Sequence, residues 1–268
     1  MSRYFINIFC SILFFSTIMH SQEKIDLSSH LKQPKSIVIN SMGEMYICNT
    51  FSHSIEKYNP FNESISTIVE NLNFPQNIAL DQSGNIFITD SFSKSIKKFD
   101  VKTQTISTVL SGLNFPVGIA VDKDENIFFS DAENHEIKKF NLKTQITTTL
   151  VNKGLSYPNG LFLDTLGNLY IADTFNDKIK KLNLSTNQII TLSIDGLSFP
   201  ESIFVYNSDV YVTDTDTASL KKYNEMSGKT DIVLDKNLKK PSAICIDKGI
   251  LYLADKELNQ IFKINIKQ

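Results

Sequence analysis

The sequence predicts an all-β fold: a six-bladed β-propeller with four-stranded antiparallel blades, its ring closed by the N-terminal strand completing the last blade. Three observations predict it. Pro34, Pro75, Pro116, Pro158, Pro200 and Pro241 recur at intervals of 41, 41, 42, 42 and 41 residues, a period suited to four-stranded repeat units. Each interval carries short alternating apolar runs broken by Asp, Gly and Asn, the pattern of a β-meander. The last interval ends one strand short, and the N-terminus holds a matching spare strand.

The elements follow in chain order. Residues 1–21, MSRYFINIFCSILFFSTIMHS, start with Arg3, run apolar from Phe5 to Met19 and turn polar at Ser21-Gln22-Glu23. This is the pattern of a secretory signal peptide, and the apolar run is short for a membrane span. The expectation is a secreted protein, extracellular or periplasmic, whose residues 22–268 form one propeller domain with no membrane span after cleavage. Cleavage would remove Arg3, the single arginine, and take the net charge from −2 to −3. An acidic chain without arginine is a poor nucleic-acid binder, so no such partner is expected. Three cysteines are too few for a disulfide scaffold.

Within a unit the strands are short. In the second they read IAL, IFIT, IKKF and ISTVL, separated by DQSGN, DSFSKS and DVKTQ. The sixth unit stops after QIFKINI. The N-terminal KIDLSSHLKQP aligns with ISTVLSGLNFP of the second unit, so it is expected to supply the missing fourth strand and leave no open sheet edge.

The units PVGIAVDKDENIFFSDAENHEIKKF and PNGLFLDTLGNLYIADTFNDKIKKL resemble the NHL-repeat family of six-bladed propellers. The resemblance spans about residues 24–268. It implies a binding platform, with some enzymes among similar propellers: gluconolactonase/regucalcin-like hydrolases and propeller lyases. Fold alone does not choose among these.

Residues present in every unit are expected to build the blade. Asn49, Asp90, Asp131, Asp173, Asp214 and Asp255 share one position and are read as acceptors of backbone N–H groups in the turn after the second strand. Asn40, Asp81, Asp122, Asp164 and Asp247 start the first turn. Asp122 to Asn126 is a weak likeness to a calcium loop, without its central Gly and final Glu. His53 and His135 share a turn position two blades apart and do not make a zinc site. The lysine pairs at 97–98, 138–139, 180–181 and 221–222 read as solvated strand faces whose stems cover apolar neighbours. Cys48 and Cys245 are expected to point to the same face of their blades. Adjacent blades meet by opposite faces, so no disulfide between the two is expected.

Function is expected where the units differ. The residue after each repeat proline lies beside the central channel: Lys35, Gln76, Val117, Asn159, Glu201 and Ser242. The gluconolactonase-like resemblance implies a divalent cation, calcium or zinc, held by Asn159 and Glu201. Lys35 and Val117 stand where that family has two further ligands. A Lys35–Glu201 pair is the alternative reading of the same place. Phe51, Phe92 and Phe175 occupy the turn after the second strand and are expected to be exposed. Phe74, Phe115, Tyr157 and Phe199 directly precede the prolines and are expected to pack between blades. No complete catalytic constellation is present. The reading is therefore a secreted, monomeric binding module for a protein, carbohydrate or small-molecule ligand, using the loop face around the channel. The alternative is a lactonase-like hydrolase or propeller lyase.

Overall fold

The computed structural model describes residues 22–25 and 27–266; the expected signal segment 1–21 lies outside the described residues. Six four-stranded antiparallel sheets stand around a central channel. Blade one runs outward from Pro34–Ile39 through Met45–Asn49 and Ser54–Asn59 to Ser64–Val69. Blades two to five repeat this order. Blade six has Pro241–Asp247, Ile250–Asp255 and Gln260–Asn265, and Gln22–Ile25 pairs antiparallel with the last of these. The ring is thus closed by the N-terminal strand. That strand is shorter than the alignment with the second unit suggests. The chain turns at Leu27, whose N–H meets the Ile25 carbonyl (3.0 Å). Leu27 and Leu31 then drop into the core between blades six and one, beside Ile37 and Ile261.

Burial follows from position in the blade. Second strands are covered on both faces by neighbouring blades; those of blades one to four are buried throughout, and those of blades five and six are buried except at Asp209, Ile250 and Tyr252. Outermost strands are largely exposed. The core is a set of apolar wedges between successive blades, such as Phe87, Ile96, Ile119, Ile127 and Phe129 between blades two and three. Cys48 sits in the wedge between blades one and two, Cys245 in that between six and one, both buried and free. Cys48 pairs with Ser36 and Cys245 with Tyr252, an offset of two residues that keeps both on the same blade face. Burial pushes the Cys245 thiol up to about 12 and the Cys48 thiol higher still.

The repeated acids do accept backbone N–H groups, but from another place than the sequence suggests. Asp90, Asp131, Asp173 and Asp214 bond the N–H of Asn73, Asn114, Ser156 and Ser198 at 2.6–2.7 Å. These donors lie in the loop before the blade's own inner strand, so each acid ties that loop to the end of strand two. Asp255 bonds Lys239 there and also Glu257 and Leu258 in the following turn. The first lysine of each pair answers the buried charge: Lys97–Asp90 at 2.5 Å, Lys138–Asp131 at 2.7 Å and Lys221–Asp214 at 2.6 Å. The second lies over a ring, Lys98 on Phe87, Lys139 on Phe128 and Lys181 on Tyr170. In blade one both partners change together, to Asn49 and Glu56, and Glu56 takes the hydroxyls of Ser54 and Thr67 instead. These lysines belong to blade construction. So does the calcium-like turn: the Asp122 carboxylate accepts the N–H of Asp124 and Asn126 and the Asn126 amide.

Candidate functional site

On the loop face two rings of residues surround the channel, one on each side of the repeat prolines. The outer ring is Gln33, Phe74, Phe115, Tyr157, Phe199 and Lys240. The first five have left-handed backbones, with φ of 54°, 62°, 64°, 50° and 62°. That region is unfavourable for bulky side chains, at about 1 kcal/mol or more each. The neighbouring blade holds most of them in place. Asn259 Oδ1 accepts the Gln33 N–H (2.8 Å), His53 Nδ1 that of Phe74 (3.3 Å), His135 Nδ1 that of Tyr157 (2.9 Å) and Asp177 Oδ1 that of Phe199 (2.7 Å). The two histidines therefore position the aromatic loops.

The two sets of aromatics form one arc. Phe74 stacks on Phe92 at 4.5 Å and Tyr157 on Phe175 at 4.7 Å. Contacts of 5.6–6.4 Å join these pairs to Phe51, Phe115 and Phe199. Phe51, Phe92 and Phe175 are 52%, 57% and 55% exposed. Phe74, Phe115, Tyr157 and Phe199 are half-buried. They pack against the exposed rings on the face as well as between blades. The arc runs over blades one to five and is open at blade six and the start of blade one, where Lys240 and Gln33 stand.

The inner ring plugs the mouth of the channel. Gln76, Val117, Glu201 and Ser242 are buried, while Lys35 and Asn159 are half-buried. Lys35 Nζ lies 3.5 Å from Glu201 Oε2, and Lys256 Nζ bonds Glu201 Oε1. The Lys35–Glu201 pair is legible in the sequence; Lys256 escapes sequence reasoning. Its signal was a departure from the repeat. Thr50, Ser91, Thr174 and Thr215 hold the same position, and their hydroxyls bond the carbonyls of Pro75, Pro116, Pro200 and Pro241 in the next blade at 2.5–2.8 Å. Ala132 and Lys256 lack this latch. In blade six the Ser242 hydroxyl takes the Pro34 carbonyl instead (2.7 Å), which releases Lys256 to reach the mouth. Burial lowers the Lys256 amine to about 8, with Lys35 adding to the fall and Glu201 opposing it. Burial, with the charges of Glu133 and Glu201, pushes the Tyr157 phenol up to about 12.

The Asn159-Gly160 pair has a packing explanation. A Cβ on Gly160 would lie 2.3 Å from the Glu201 carbonyl oxygen, and one on Gly118 would lie 2.1 Å from that of Asn159. Inner strands converge here too closely for any side chain. The donors do not suit a divalent cation. The Glu201 carboxylate is bonded by Lys256 and faces Lys35 at 3.5 Å, so two cations already flank it, and the described residues contain no cluster of three His, Cys, Asp or Glu able to hold a metal. Below the mouth the channel is a small space of about 200 Å³ of mixed polarity, lined by residues such as Ile78, Ile119, Leu161, Ile203, Asn77 and Ser202.

The NHL repeat profile matches residues 113–140. No curated protein matches the chain by sequence. Among solved structures it is similar to a gluconolactonase from Xanthomonas campestris, with TM-score 0.80 and 11% identity over 92% of this chain and 90% of that one. It is similar to virginiamycin B lyase from Staphylococcus aureus, crystallised with quinupristin as a catalytically inactive histidine-to-alanine variant. That likeness has TM-score 0.74 and 14% identity over 92% and 100% of the two chains. It is also similar to a chain of the nidogen/laminin complex, with TM-score 0.73 and 23% identity over 79% and 84%. At these identities the likeness shows the fold: the chain is a six-bladed β-propeller carrying an NHL repeat.

Proposed function

We propose that this chain is an exported, monomeric binding module that takes its ligand on the loop face, across the aromatic arc and the channel mouth. The observation that carries this reading is the arc. Seven rings touch in sequence, three of them more than half exposed, and four sit on strained backbone. Contiguous exposed aromatics on one face are costly in water and suit a ligand with flat apolar faces. The leading segment 1–21 supports export. Two of the similar structures support the general mode, one as part of a protein complex and one crystallised with quinupristin.

A second reading, hydrolase or lyase, rests on Lys256. An amine near 8 beside a carboxylate can carry a proton at physiological pH. The similar lyase is inactivated by loss of a histidine, whereas His53 and His135 here accept backbone N–H groups in the loops.

Ligand-observed NMR tests the binding reading. Ring-bearing probes (indoles, naphthalenes and aryl glycosides) are expected to bind the purified protein and to lose binding in a Phe92→Ala/Phe175→Ala variant with an unchanged β-sheet circular dichroism spectrum. Binders that persist undiminished in that variant, or no binders at all, would contradict it.

A further inference from the structure

We propose that the ligand of this face is an amphipathic monocarboxylate, its flat ring body on the aromatic arc and its carboxylate between Lys35 and Lys256 at the gap in that arc. The inference rests on the loop-face reading above and names the ligand class.

Charge is the first argument. Two ammonium groups face one carboxylate at the mouth, leaving one positive charge in excess, in a chain whose net charge is −2. The Lys35 and Lys256 side chains are 16% and 15% exposed over a Glu201 that is 3% exposed. Their heads can be reached from the loop face yet are largely desolvated, where a charge interacts more strongly than in open water. One excess charge matches a monoanion. It is too little for a phosphate dianion, and the chain has no arginine after Arg3 to provide bidentate phosphate recognition. A neutral sugar makes no use of the excess charge.

Placement is the second argument. The outer ring is aromatic over blades two to five and polar at Lys240 and Gln33, so the apolar and charged sectors lie side by side. Lys240 is already answered by Asp216 at 2.9 Å. Lys35 and Lys256 share a single carboxylate. The third observation is Gln76. It is 5% exposed, and its Nε2 has no hydrogen-bond partner among the described residues. Its strand adjoins that of Lys35, tied to it by the Ser36–Asn77 hydrogen bond of 2.8 Å. A buried amide without a partner is unfavourable, and Glu201 Oε2 in the same ring also has no hydrogen-bond partner among the described residues, so the polar groups of the mouth are incompletely satisfied.

The test compares 2-naphthoate with 2-naphthamide, which share a ring body and differ in charge. The protein has no tryptophan, so naphthalene fluorescence reports binding without indole interference. Naphthoate is expected to bind at least about tenfold more tightly than naphthamide. That advantage is expected to vanish in Lys256→Thr, which installs the residue of blades one, four and five, and in Lys35→Met, each variant binding the two probes with equal affinity. If one variant fails to fold, the other decides. Equal binding of the two probes overturns the carboxylate assignment and leaves the loop-face reading standing. Tight naphthoate binding that ignores both lysine variants overturns the assigned site. No binding of either probe overturns both.

Discussion

Replacing Glu201 by glutamine is expected to destabilise the protein by about 3 kcal/mol at pH 7, because removing one partner of a buried ion cluster leaves its other charges uncompensated. For a domain of this size that is a fall in Tm of about 6–12 °C, at roughly 2–4 °C per kcal/mol. The lost carboxylate lies beneath two ammonium groups that are themselves largely buried. The loss is limited because Lys256, already lowered to about 8 by burial, can release its proton more readily once Glu201 is gone. The sign with pH follows. Above about 8 Lys256 is neutral even in the parent protein, so the difference between parent and variant should shrink as pH rises. Adding Lys256→Thr to Glu201→Gln is expected to recover most of the loss, with a coupling of about 1–3 kcal/mol. Urea unfolding of the parent, both single variants and the double variant measures this. Strictly additive single effects would mean that the cluster is not a unit.

Gly118→Ala is expected to cost about 3 kcal/mol or more, at the upper end of overpacking effects. The new Cβ would stand 2.1 Å from the Asn159 carbonyl oxygen, with Asn159 C and Leu161 Cγ also within 3.1 Å. The nearest obstacle is backbone of the adjacent inner strand and cannot rotate away. Gly84→Ala is the control. Its φ is +81° but nothing lies within 4 Å of the added Cβ, so it should cost only the left-handed strain of about 1–2 kcal/mol. A Gly118→Ala variant no less stable than Gly84→Ala would show that the inner strands do not converge as described. Displacing the Asn159 carbonyl would also disturb the mouth, since Asn159 lies beside Glu201 in the inner ring.

The architecture was legible because it is repeated. A proline every 41 or 42 residues and a missing sixth-blade strand determine the ring and its closure by Gln22–Ile25. The repeated acids were legible as N–H acceptors, though not the identity of the donors. Those lie 16 or 17 residues earlier in the chain and meet the acid only once the blade is folded. The aromatic residues are legible in the sequence as two sets, Phe51, Phe92 and Phe175 on the turn after strand two and Phe74, Phe115, Tyr157 and Phe199 before the prolines. Their union into one arc needs the left-handed backbone that turns Phe74, Phe115, Tyr157 and Phe199 onto the face, and such φ values in aromatic residues leave no local sequence signal. Lys35 and Glu201 stand out within one repeat column, the residue after each proline. Lys256 lies in the next column to be compared, where Thr50, Ser91, Thr174 and Thr215 carry the interblade latch. A lysine among hydroxyl residues was visible, but the latch that gives the departure its meaning was not.

The most direct measurement is NMR of the protein with its lysines reductively methylated with ¹³C-formaldehyde, followed across pH and then with 2-naphthoate. The Lys256 signal, identified by its absence in Lys256→Thr, is expected to titrate near 8, well below the ordinary 10.5. Below that pH the mouth holds its excess positive charge; above it the two remaining charges, Lys35 and Glu201, cancel. Neither Tyr157, raised to about 12, nor Lys240, raised by Asp216, changes charge in that range. Naphthoate should shift the Lys256 signal and raise its titration point, because a bound carboxylate favours the ammonium form. A Lys256 that titrates near 10.5 and does not respond to naphthoate would contradict the claim that this mouth is a ligand site.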